Sequence, residues 1–164
     1  FRSIGVVIMP ELNASARAES MDQLKLAALD EDDLKVISAH VQDALMQIGD
    51  IDYSPARKWF LVPMNRFVRD AKRSLFRRKY ERRRSVLHFE HVLSVRSAGI
   101  DRDNIKDVLS LLAIRFIPGE APAGTIELVF AGDATIQLGV EFIEARLADL
   151  GPAWETSSRP AHFA

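Results

Sequence analysis

Arg84-Ser85-Val86-Leu87-His88-Phe89-Glu90-His91-Val92-Leu93-Ser94-Val95-Arg96 alternates in character with a period of two. Leu87, Phe89, His91, Leu93 and Val95 fall on one face. His88, Glu90, Ser94 and Arg96 fall on the other, together with Val86 and Val92. That period is a strand's and not a helix's. It makes the centre of the chain a β-sheet.

Downstream, Gly99 to Lys106 is a polar connection. Val108 to Ile117 is apolar except at Ser110 and Arg115, the pattern of a central strand. Pro118 to Gly124 is a loop. Ile126, Leu128 and Phe130, then Ile136, Leu138 and Val140, alternate on either side of Ala131-Gly132-Asp133, a hairpin turn. Phe142, Ile143, Leu147 and Leu150 have the spacing of a short amphipathic helix, stopped by Gly151-Pro152.

Upstream, Trp59, Leu61, Phe67 and Val68 read as a strand, and Pro63 within it predicts an edge strand or a bulge. Ser54-Pro55-Ala56-Arg57 is a turn. Leu34, Ile37, Val41, Leu45 and Ile48 recur at helical spacings, with Asp30 as N-cap, acids in the first turn and Gly49 as the stop. Leu24, Leu26 and Ala28 suit a short strand. The short connections favour antiparallel pairing. The expected fold is α+β: a curved antiparallel sheet of about six to seven strands, one helix on its N-terminal side and one C-terminal helix, arranged as a pleckstrin-homology-like roll. Residues 1–20 read as a flexible leader or upstream extension, 21–154 as one domain and 155–164 as a mobile tail.

The total charge of −1 conceals a polarised molecule. Arg66 to Arg84 holds ten basic residues against Asp70 and Glu81, a net +8, so everything outside it sums to −9. Such a chain has a preferred side for anionic partners. With no cysteine, disulfides, thiolate metal sites and cysteine nucleophiles are excluded, and a reducing cytoplasm is the expected compartment. No apolar run approaches the roughly 20 residues of a membrane-spanning helix.

Met21-Asp-Gln-Leu-Lys-Leu-Ala-Ala-Leu-Asp30, Asn65-Arg66-Phe67, Arg82-Arg83-Arg84-Ser85, Val95-Arg96-Ser97-Ala98-Gly99-Ile100-Asp101, Glu127-Leu128-Val129-Phe130-Ala131-Gly132 and Ile143 to Trp154 resemble the alphaproteobacterial domain-of-unknown-function family 2948. The resemblance runs from about Met21 to His162 and implies a small bacterial cytoplasmic protein. It implies no activity, cofactor or catalytic residue.

The residues themselves nominate no catalytic constellation, no metal ligand set and no cofactor. There is no Gly-x-Ser-x-Gly elbow, no phosphate loop and no dinucleotide glycine pattern. His88, Glu90 and His91 are close in sequence, but a strand sends His88 and Glu90 to one face and His91 to the other, so one ion cannot collect all three. His91 is then expected in the core with a hydrogen-bond partner. Asp50 with Asp52 and Glu141 with Glu144 read as surface acids. The basic stretch stands above this background. Arg77, Arg78, Lys79, Arg82, Arg83 and Arg84 can present guanidinium and ammonium donors to phosphates, and Phe76 and Tyr80 are interleaved as stacking partners for bases. The expected function is a non-enzymatic binding or adaptor module whose basic hairpin, residues 66–84, contacts RNA or another polyanion. The rival is a protein–protein adaptor that offers the Pro63 strand as an edge to a protein partner, the basic stretch being only a solvated loop. An anionic lipid surface and an unassigned enzyme are more distant readings.

Overall fold

A computed structural model describes residues 23–68, 81–151 and 154–155. Among them are eleven strands and one α-helix. The strands are β1 (Lys25–Ala28), β2 (Leu45–Gln47), β3 (Asp52–Ser54), β4 (Trp59–Val68), β5 (Glu81–Phe89), β6 (Val92–Ala98), β7 (Val108–Pro118), β8 (Gly124–Phe130), β9 (Ala134–Val140), β10 (Ala145–Asp149) and β11 (Trp154–Glu155). The helix, α1, is Glu31–His40. All pairing is antiparallel, in the order β1-β10-β5-β4-β2-β7-β8-β9-β6, with β3 added to β4 and β11 to β5.

Eleven strands stand where about six to seven were expected, because short strands without a readable period join the ladders of longer ones. The expected fold is corrected in three further places. The C-terminal helix does not form. Ala145, Leu147 and Asp149 point into the core and Arg146 and Ala148 out of it, because β10 fills the slot between β1 and β5. The hydrophobic spacing of Phe142 to Leu150 fits a helix, but two waiting ladders outweigh it. With that helix gone, the pleckstrin-homology-like roll loses the element that defined it, and the molecule is mainly β. Secondly, α1 stops at His40 and does not reach Ile48. Val41 leaves helical geometry, Asp43 turns left-handed at φ 69°, and Leu45–Gln47 is taken up between β4 and β7. Gly49 still has a structural duty: a Cβ there would lie 2.9 Å from the Ile105 carbonyl oxygen. Thirdly, the strand through Pro63 is not an edge. β5 runs along one side of β4, while β3 and β2 share the other, pairing at residues 59–61 and at Asn65. Pro63 sits in the interval between them, where its missing N–H leaves that ladder intact.

Other expectations stand. Asp30 caps α1, its side chain accepting from the Asp33 N–H at 2.8 Å. β8 and β9 form the hairpin, with Gly132 and Asp133 both left-handed. β7 is interior, between β2 and β8. The opening stretch is divided: His91 adopts φ 60°, so β5 and β6 join different halves of the sheet. The alternation then changes phase. Val92 is buried, and Leu93 is exposed at a bulge. Because β6 ends the strand order yet continues directly from β5, the sheet curls back on itself. Backbone bonds from Val92 N–H to the Lys58 carbonyl (2.8 Å) and from Glu141 N–H to the His91 carbonyl (3.0 Å) hold that corner.

The core lies inside the curl. Phe60, Val62, Met64, Leu87, Phe89, Leu111, Ile126, Leu128, Phe130, Leu138 and Leu147 meet Leu34 and Ile37 of α1 there. A second, smaller cluster of Trp59, Leu61 and Val86 lies on the outward side of β4 and β5. No helix of the described residues is long and apolar enough to cross a membrane.

Candidate anion-binding face of the basic hairpin

The β4–β5 ladder extends to Arg66↔Arg83, Phe67↔Arg82 and Val68↔Glu81, so residues 69–80 connect two directly paired strands. Arg77, Arg78, Lys79, Phe76 and Tyr80 lie outside the described residues. Arg82, Arg83 and Arg84 lie within them, and the strand period separates their roles.

Arg66 and Arg83 face each other on the core side, 5% and 3% exposed. Two opposed guanidinium groups in a dry sheet repel, and an anion must sit between them. Asp149 of β10 is that anion. Arg66 Nε donates to its Oδ1 and Arg66 Nη2 to its Oδ2, both at 2.9 Å. Ser85 Oγ donates to Oδ1 at 2.6 Å, the Leu24 N–H donates to Oδ2 at 2.8 Å, and Arg83 Nε stands 3.9 Å from Oδ2. Burial alone pushes the Asp149 carboxyl pKa up, but the hydrogen bonds from Arg66, Ser85 and Leu24 and the Arg66 charge outweigh it, and the net shift is downward. Arg83, expected among the polyanion contacts, is thus turned inward.

Arg82 and Arg84 lie on the outward face. Arg84 is half-buried, with Nη2 3.6 Å from Asp50 Oδ2. Arg82 carries its Cζ 4.5 Å from the centre of the Phe67 ring, a cation–π contact between register partners. Burial lowers the Arg82 pKa from its ordinary value, so its guanidinium is partly stripped of water. Asn65, opposite Arg84 in the ladder, is 4% exposed.

The histidines form a separate cluster at the β5–β6 corner. His88 Nε2 lies 2.6 Å from Glu90 Oε2 and packs edge-on to Trp59. Burial lowers the His88 pKa; Glu90 and Glu144 oppose that and Arg146 adds to it. His91 is not a core residue. It is half-buried, stacked on Phe142 with ring centres 4.0 Å apart, and its Nε2 is 2.9 Å from Glu144 Oε1. The expected hydrogen-bond partner is therefore present. Glu144 also binds Arg146 at 3.1 Å, and Glu141 binds Lys58 at 2.9 Å. The carboxylates are spent on ion pairs. Among the described residues no group of three His, Asp or Glu is placed to hold a metal ion.

These features define a class: a mainly antiparallel domain, curled around one core, with a basic hairpin rooted in a buried Arg–Asp–Arg cluster. The chain belongs to the family described as Protein of unknown function (DUF2948), whose model matches residues 24–162. No match is found among curated proteins, and none among solved structures.

Asp149, Ser85 and Asn65 are what the residues alone did not nominate. Asp149 had one signal, an acid in phase with Ala145 and Leu147. A core-facing acid asks for a buried cation, but only the ladder shows which arginines answer.

Proposed function

We propose that this domain is a non-enzymatic binding module, acting in the cytoplasm, whose β4–β5 hairpin holds RNA or another polyanion. The observation that carries the reading is the ladder itself. It sets a connection of net +5, residues 69–80, directly beyond strands whose outward face carries Arg82 and Arg84. Asp149 anchors the opposed pair Arg66 and Arg83 beneath. The root of the hairpin is a fixed part of the sheet, and the sequence that joins its two strands is strongly basic. Arg77, Arg78, Lys79, Arg82 and Arg84 are the proposed phosphate contacts, and Phe76 and Tyr80 the proposed stacking partners. Arg83 is left out because it faces the core. The Pro63 strand, with neighbours on both sides, gives the adaptor reading no edge to use.

The test is fluorescence anisotropy with labelled single-stranded RNA over a salt series, comparing the chain with its Arg77→Ala, Arg78→Ala, Lys79→Ala triple variant. Binding through n phosphates weakens with a log–log salt slope near about −0.7n. Removing three contacts reduces that slope by about two. Absence of binding at low salt, where attraction is strongest, would remove nucleic acid as the ligand.

A further inference from the structure

The later half of β7 has an edge that no described strand covers. β2 pairs with β7 only at residues 108–110, and the Leu111 N–H then donates to the Ala44 carbonyl at 2.9 Å. β8 follows the other side as far as Pro118. Ile114 turns its N–H away from β8, to the Ser38 hydroxyl of α1 at 2.9 Å. Backbone groups alternate between the two sides of an antiparallel strand. Phe116 therefore turns its N–H and carbonyl the same way as Ile114, and Pro118 has no N–H to offer there. The open edge is a single window at Phe116, closed by Ser38 before it and blunted by Pro118 after it.

A cavity of about 270 Å³ lies at this window, between α1 and β7. Leu34 and Ile114, both buried, and half-buried Phe116 give it an apolar lining, and Glu31, Lys35 and Arg115 give it charge. The Phe116 ring leans on Gly124, where a Cβ would come within 2.4 Å of it, so the ring is drawn towards β8. The volume falls below the roughly 300 Å³ at which pockets that enclose small molecules begin. An added strand suits it better, and α1 fixes that strand's direction. The Asp43 N–H donates to the Leu111 carbonyl at 2.7 Å, and Ser38 binds Ile114. Lys35 and Glu31, one and two turns earlier on the same stripe of α1, then lie progressively towards Phe116. The groove is blind at Ser38, and Lys35 is the charge nearest the blind end. A strand entering from the Pro118 side, antiparallel to β7 as in every other pair of the sheet, has to stop there. Arg115 gives one nitrogen to Glu127 at 3.0 Å and is still 63% exposed. Lys35 and Arg115 call for a carboxylate at the end of the entering chain, and Glu31 at the mouth calls for a cation further back.

We propose that the groove between α1 and β7 captures the C-terminal end of a partner protein by strand addition. The partner's backbone pairs with Phe116, and an apolar side chain near its end lies on Leu34 and Phe116. Its terminal carboxylate meets Lys35 and Arg115, and a basic residue upstream meets Glu31. The site does not depend on the basic hairpin or on its ligand.

The test selects random peptides with free C-terminal carboxylates, displayed on phage, against the whole chain. Sequences with an apolar residue at or next to the end and a basic residue further back are enriched. An enriched peptide, labelled with fluorescein, binds about tenfold more weakly once its C-terminus is amidated, the effect of one charge-assisted hydrogen bond. Lys35→Ala, at an exposed helical position that alanine suits, weakens the carboxylate peptide to a similar degree and leaves the amide unchanged. Hydrogen exchange at the Phe116 N–H slows in the complex, which a contact elsewhere on the surface would not bring about. No enrichment, equal affinity for acid and amide, or unaltered exchange at Phe116 overturns the proposal.

Discussion

At the scale of single residues, Asp149 holds the greatest consequence. Its carboxylate accepts from Arg66, Ser85 and Leu24 and lies near Arg83. Asp149→Asn removes the charged acceptor of both Arg66 hydrogen bonds, and breaking a buried pair in this way costs about 3–5 kcal/mol. Urea unfolding followed by tryptophan fluorescence measures the loss; a midpoint unchanged from the parent would mean the cluster is not a structural anchor. The same residue sets an acid limit. Its pKa is below the ordinary 3.8, so the folded state binds fewer protons than the unfolded one in that range. The stability it contributes is full above 3.8 and is lost as the pH falls through the lower folded value. His88 acts earlier on the same descent. Its folded pKa is below 6.5, so neutral His88 suits the fold, and stability declines as the pH falls from 6.5. His88→Gln flattens the stability profile between pH 7 and 5; an identical slope in parent and variant would assign that region to other groups. Little of this could be read from residue types. Arg82, Arg83 and Arg84 look equivalent in sequence, and only the pleat separates the one that faces the core from the two that do not.

Elements divide into those that carry their own signal and those that borrow it. The helix α1 carries its own, with Asp30 accepting from the Asp33 N–H. Asp30→Ala costs about 1 kcal/mol of stability, measured as a shift in the urea midpoint with an unchanged slope. The β8–β9 hairpin also announces itself, through alternation on both sides of a left-handed Gly132. β2, β3 and β11 are two or three residues long and have no period to read. They exist because longer strands offer them a ladder, which is why the sequence alone predicts too few strands. β10 is the instructive failure. Phe142, Ile143, Leu147 and Leu150 satisfy helical spacing, and Ala145, Leu147 and Asp149 satisfy strand spacing. The tie is broken by β1 and β5, far away in the chain.

For the molecule as a whole, the pairing is strongly non-local. Lys25 is opposite Ala148, and β6, at one end of the strand order, follows β5 in the chain. Domains dominated by distant antiparallel contacts fold in about milliseconds to seconds. Stopped-flow refolding is expected in that range, and microsecond folding would contradict the topology. The polarity of charge was legible in the sequence. That its root is fixed in the sheet was not, because Asp149 lies 83 positions from Arg66. That distance acquires a direction during synthesis. A ribosome releases Arg66 well before Asp149, so a growing chain holds the arginine before the carboxylate that binds it has been made. Burying Arg66 at the hairpin root is costly until β10 supplies its partner. A strand made late in the domain thus completes an ion pair rooted in its middle.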